Sequence, residues 1–182
     1  MPRVSSCFIA LAFAAFATLP ALAPAQAQNG AGKMQTQKVS TVDQQFIQDA
    51  GAASATEIAA SKLALARSAD KQVKDFAQRM IADHTKLARN LDVIAKRHGI
   101  TTPPASDSSV VGSLQNLEGA DFDKAYIEKV ALAAHQKAVE LFAKESESGN
   151  DAALKAAAAK ALPIIRHHYA MAQQLARTKS AP

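Results

Sequence analysis

Four ionisable residues fall on helical stripes that are otherwise apolar: Glu57, His84, His135 and His168. Each stripe repeats at alternating steps of three and four, the spacing of a helix packed against neighbours. Around the glutamate the series is Phe46, Ala50, Ala53, Glu57, Ala60, Ala64. Around the first histidine it is Val73, Ala77, Met80, His84, Leu87, Leu91, Ile94. Around the last it is Leu154, Ala158, Ala161, Ile165, His168, Ala172, Leu175. His135 stands in a shorter run, Ala131, His135, Ala138, Phe142. A carboxylate and three imidazoles in an apolar interior must satisfy one another, because an unpaired buried charge costs several kcal/mol. Two chemistries do so. In one, Glu57 accepts hydrogen bonds from the histidines in a closed, metal-free network that fixes helix register. In the other, the four groups hold a metal ion, and three neutral imidazoles with one carboxylate suit Zn²⁺, Fe, Mn or Cu. Asp83 adjoins His84, where it joins at the rim or orients an imidazole. His167 lies one residue off the stripe and faces the rim or solvent.

Four long helices are needed to position these groups. The spacing and caps predict them over about 42–67, 71–98, 122–148 and 151–177. Thr41-x-x-Gln44 reads as a capping box, Asp70, Asp121 and Asn150 as caps, and Gly99 and Gly149 as stops. The connections between the first two helices and between the last two are only a few residues long, which makes each pair an antiparallel hairpin. About 20 residues separate the second helix from the third, enough extended chain to run the length of a bundle. A short helix around 110–117 fits inside that segment. Two antiparallel hairpins joined by one long crossover is the ferritin-like four-helix bundle, and an up-down bundle with a decorated loop is the alternative. Counted from the hairpin turns, Glu57 lies about 12 residues deep, His84 and His135 about 14, and His168 about 18. At a rise of 1.5 Å per residue these levels agree within roughly one turn. Pro163 lies inside the fourth helix, five residues before His168, where it removes one backbone hydrogen bond and either lets the helix wrap the bundle or aims His168 inward.

The start of the chain reads as an export signal. Arg3 precedes an apolar stretch from Phe8 to Ala23, and Ala25-Gln26-Ala27 supplies the small-x-small pattern for cleavage after Ala27. Residues 28–40 form a polar, glycine-containing lead-in, and residues 41–178 the bundle domain. The single cysteine, Cys7, leaves with the signal, so disulfide and thiol chemistry are excluded from the mature chain. Basic residues modestly exceed acidic ones, which fits peripheral contact with an anionic envelope surface and equally a solvated mixed surface such as Lys71, Lys74, Arg79, Lys86, Arg89 and Lys96 would make. Tryptophan is absent and aromatics are few, which argues against nucleic acid as a partner. No Gly-rich phosphate loop, G-x-S-x-G elbow or H-E-x-x-H is present. No mature segment is apolar all round, so no transmembrane span is expected.

The stretches Phe76-Ala77-Gln78-Arg79-Met80-Ile81-Ala82-Asp83-His84-Thr85, Gly119-Ala120-Asp121-Phe122-Asp123-Lys124-Ala125-Tyr126, His135-Gln136-Lys137-Ala138-Val139-Glu140-Leu141-Phe142 and Leu162-Pro163 followed by His168 resemble the bacterial family called domain of unknown function 4142. The resemblance covers nearly all of residues 43–176. It implies a ferritin-like fold, export and frequent description as an outer-membrane protein, and no established activity. It matches family histidines to His84, His135 and His168 and the first-helix glutamate to Glu57. The di-iron ferritin pattern needs a glutamate three residues before a histidine on two helices, but Ile81 and Ile165 hold those positions, which argues against bridging carboxylates. Three functions follow from these readings: a periplasmic metal-binding bundle, a non-enzymatic envelope bundle with a polar core that only fixes register, and an oxidoreductase using a bound metal.

Overall fold

A computed structural model describes residues 39–101 and 103–180. The export signal expected over residues 1–27, and the lead-in up to residue 38, lie outside the described residues. What is described is all-α: α1 (Thr41–Arg67), α2 (Lys71–Arg97), α3 (Ser108–Gln115), α4 (Gly119–Tyr126), a π-helical segment (Ile127–Ala134), α5 (His135–Ser148) and α6 (Ala152–Ser180). Among these residues no helix is long and apolar enough to cross a membrane.

The helix ends show why the chain breaks where it does. Asp70 accepts from the backbone N–H groups of Gln72 and Val73, so α2 begins as its sequence predicts. Gly99 takes φ +76° just beyond α2, a conformation that side chains resist. Three starts differ from the sequence expectation. Ser40 rather than Thr41 caps α1: its hydroxyl accepts from Asp43 N–H and donates to the Asp43 carboxylate. The third long helix begins at Gly119 rather than Phe122. Glu118 precedes it without capping and pairs instead with Arg67 at the end of α1, so Asp121 lies inside the first turn. Asp151 rather than Asn150 caps α6 by accepting from Ala153 and Leu154 N–H. Asn150 is already committed, since its own N–H donates to Asp43.

The third long helix, 119–148, contains the one element that the sequence reading did not anticipate. Its middle turns are π-helical, with backbone bonds to i+5 rather than i+4. The wider turn makes buried positions recur at steps of four and five, as in Tyr126, Val130, His135. The three-four stripe around His135 is short for this reason: only Ala131 of it lies within the π segment, and the rest runs through α5. Helix α6 runs through Pro163, which lies on its exposed side.

The interior is divided. One apolar cluster gathers Ala64, Phe76, Met80, Phe122, Tyr126 and Leu175, with Leu114 of the short helix α3 among them. A second gathers Phe46, Ile47, Phe142, Leu154 and Ile165. The polar stripe residues stand between the two in every long helix. Each cluster removes apolar area from water and holds its ends of the helices at about 25 cal/mol per Å² buried. The layer between them gains nothing from that source and must be explained by its chemistry.

Candidate metal centre

His84 of α2, His135 at the first position of α5 and His168 of α6 form a triangle. All three ring-centroid separations are 5.5 Å. One nitrogen from each lies within 4.8 Å of the others, and all three residues are buried. Phe76 closes one flank, its ring 6.3 Å from that of His135 and steeply inclined to it.

The hydrogen bonds identify which nitrogens are free. His135 Nδ1 lies 3.3 Å from the Val130 carbonyl and 3.3 Å from Glu57 Oε1. A carbonyl oxygen only accepts, so Nδ1 carries the hydrogen and Nε2 carries the lone pair. His168 Nε2 lies 3.1 Å from Asp83 Oδ2, so it donates there and leaves its lone pair on Nδ1. The remaining nitrogens, His135 Nε2, His168 Nδ1 and both of His84, are buried and without a protein partner, as is Glu57 Oε2. A buried polar atom without a partner costs about 1–3 kcal/mol, so five together rival the 5–15 kcal/mol by which a domain is stable.

Burial also sets the protonation. The His84 imidazole is pushed down to about 3, first by desolvation and then by the neighbouring His135 and His168. His135 falls to about 4, by desolvation and by His168, against the opposing pull of the backbone carbonyls. His168 is lowered by burial although Asp83 favours its charged form. Glu57, 3% exposed, is raised well above the carboxylate range by desolvation. At neutral pH all three imidazoles are therefore neutral and offer lone pairs. Nearby, Tyr126 is held above its ordinary range by burial and by Glu57, and its hydroxyl is 2.8 Å from Ser61 Oγ.

Of the residues singled out in the sequence, the structure brings His84, His135 and His168 into one cluster. It places Glu57 against the Nδ1 edge of His135, outside the set of mutually close ligand atoms. Asp83 lies behind His168 rather than against its neighbour in sequence, His84. His167 is exposed on α6. The Val130 carbonyl, which fixes the His135 tautomer, was not among the sequence candidates. A step of five between two buried positions was the only trace of it.

The profile of the family described as Domain of unknown function (DUF4142) matches residues 28–175, and the chain belongs to that family. Among solved structures the chain is similar to the crystal structure of a DUF305 fragment from Deinococcus radiodurans, at 17% identity and a TM-score of 0.65, covering 76% of this chain and 98% of that one. At that identity the likeness concerns the fold alone. No curated protein matches the chain.

Proposed function

We propose that this protein is an exported, periplasmic metal-binding protein built on a ferritin-like four-helix bundle. Its two antiparallel hairpins are α1–α2 and the 119–148 helix with α6, joined by the crossover that carries α3. His84, His135 and His168 are the ligands, through one nitrogen each. Glu57 and Asp83 stand behind His135 and His168, where each holds one imidazole in the tautomer that turns its lone pair away from the carboxylate. The supporting observation is the pattern of partners. Two imidazoles are engaged on their outer nitrogens and bare on the others, and the third is bare on both. A closed metal-free network would join His84 to the rest, and it has no hydrogen-bond partner in the protein.

Bonds of 2.0–2.1 Å at tetrahedral angles set the nitrogens about 3.3 Å apart. The rings therefore draw inward on binding from their present spacing. An all-imidazole set favours Zn, Cu or Fe over Mn. Three protein ligands also leave a position for water or a small exogenous ligand, and the half-buried Asp83 behind His168 places a carboxylate near the ion. The two isoleucines, Ile81 and Ile165, supply no bridging carboxylate, so the centre holds one metal rather than two.

Untagged protein purified from the periplasm and analysed for elements tests both location and ligand. One equivalent of a transition metal, lost in His84→Ala, is the expected result. Protein that lacks metal as purified and binds none of Zn²⁺, Cu²⁺ or Fe²⁺ at micromolar concentration would overturn the reading.

A further inference from the structure

Away from the histidine centre, a pocket of about 340 Å³ opens between α1, α2 and the crossover. Its size falls within the range of small-molecule sites, which are mostly apolar with a few placed polar groups. The volume comes from small side chains. Gly51 and Ala55 of α1 face Ala88 and Ala95 of α2, where larger residues would fill the space. The crossover is the outer wall, and it is held by a close fit: a Cβ on Gly51 would lie 2.4 Å from Pro104 Cγ. Pro103 and Pro104 thus wall the pocket, together with Ile47, Ile58 and Leu91.

The charges at the rim are unequal. Lys96 and Asp92 neutralise each other at 2.7 Å. Arg89 has no hydrogen bond or ion pair among the described residues, so one uncompensated guanidinium stands at the edge of an apolar pocket. The sequence reading assigned Arg89 to a solvated charged face, and the structure puts it at the rim of this pocket.

We propose that this pocket binds a free, single-chain anionic amphiphile, with the hydrocarbon chain under the proline crossover and the carboxylate head on Arg89. A volume of about 340 Å³ walled by small and apolar side chains suits one hydrocarbon chain. A guanidinium recognises a carboxylate through two parallel hydrogen bonds, which a neutral head cannot return. The site is independent of the metal centre and does not rest on it.

The test is displacement of a dansylated undecanoic acid from the purified protein by decanoate. Saturable binding of one probe per chain, released by decanoate, is expected. Ala55→Phe and Ala88→Phe should each weaken probe binding tenfold or more, with melting temperature checked to show that they fold. Arg89→Glu, a surface change that leaves the core intact, should weaken decanoate about tenfold and leave decanol unchanged. His84→Leu should leave decanoate binding as it was. Equal affinity in folded Phe variants, equal response of decanoate and decanol to Arg89→Glu, or probe release by phosphatidylglycerol vesicles alone would each overturn the proposal, the last in favour of docking on a membrane.

Discussion

Asp43 and His84 are buried almost equally, at 1% and 4% exposure, in two polar regions of one interior. At the end of the bundle, Asp43 Oδ1 accepts from Asn150 N–H, and Oδ2 accepts from Asp151 N–H and from the Ser40 hydroxyl. It ties the first turn of α1 to the start of α6 across more than a hundred residues of sequence. At the middle of the bundle, His84 has no protein partner at all. The first carboxylate is buried because the fold satisfies it. The imidazole is buried although the fold does not satisfy it. Burial of a polar group therefore says little by itself, and the completeness of its hydrogen bonds separates a structural lock from a place prepared for a ligand.

That contrast can be broken by substitutions with opposite expected signs. His84→Leu should abolish metal binding, which equilibrium dialysis reads directly. In metal-free protein the same change should raise stability by about 1–2 kcal/mol, because it replaces two unsatisfied nitrogens by a side chain of similar size. A destabilised metal-free His84→Leu, measured by urea titration, would show that the imidazole is structurally satisfied after all. Asp43→Ala should do the reverse, leaving metal stoichiometry intact while lowering stability by about 3–5 kcal/mol, since three donors lose their acceptor.

Smaller effects sharpen the comparison. Asp83→Asn should keep the fold and weaken metal affinity by about 10–100-fold through the orientation of His168, the usual consequence of losing a partner behind a ligand. Asp83→Ala should weaken it further, and an unchanged affinity in both would remove Asp83 from the centre.

The pH dependence of metal-free stability should carry both regions with opposite slopes. His84 and His135 have folded values of about 3 and 4, below the ordinary 6.5. As pH falls below 6.5 the unfolded chain takes up protons that the folded chain refuses, so stability declines by about 1.4 kcal/mol per unit for each group. Glu145 is pushed up to about 7 by burial and by Asp43, so the folded chain holds a proton that the unfolded chain releases above 4.5. Its contribution is present at low pH and fades as pH rises through about 7. Glu57 is shifted in the same direction. Thermal melts of metal-free protein should thus show the two contributions opposing each other between about pH 4.5 and 6.5. Glu145→Gln should steepen the loss of stability on acidification in that window, and His84→Leu should flatten it.

Much of this was legible in the sequence because it is local. The caps Asp70 and Gly99, the short helix before residue 117 and the stripes carrying Glu57, His84 and His168 follow from side-chain periods and backbone preferences within a few residues. The choice of Ser40 over Thr41, and of Asp151 over Asn150, was not local. Each follows from Asp43, which claims Asn150 N–H from the far end of the chain. The π turns escaped because a stripe search at three and four misses a step of five.

What the sequence by itself determined was an all-helical chain with one polar residue near the middle of each long stripe. Only the tertiary structure decided what each polar residue does. Depth along a helix depends on a fixed rise per residue and can be counted. The choice of bare nitrogen depends on a carbonyl one wide turn away in His135 and on a carboxylate from another helix in His168. It also set Glu57 against the Nδ1 edge of His135, beside the three close histidine nitrogens.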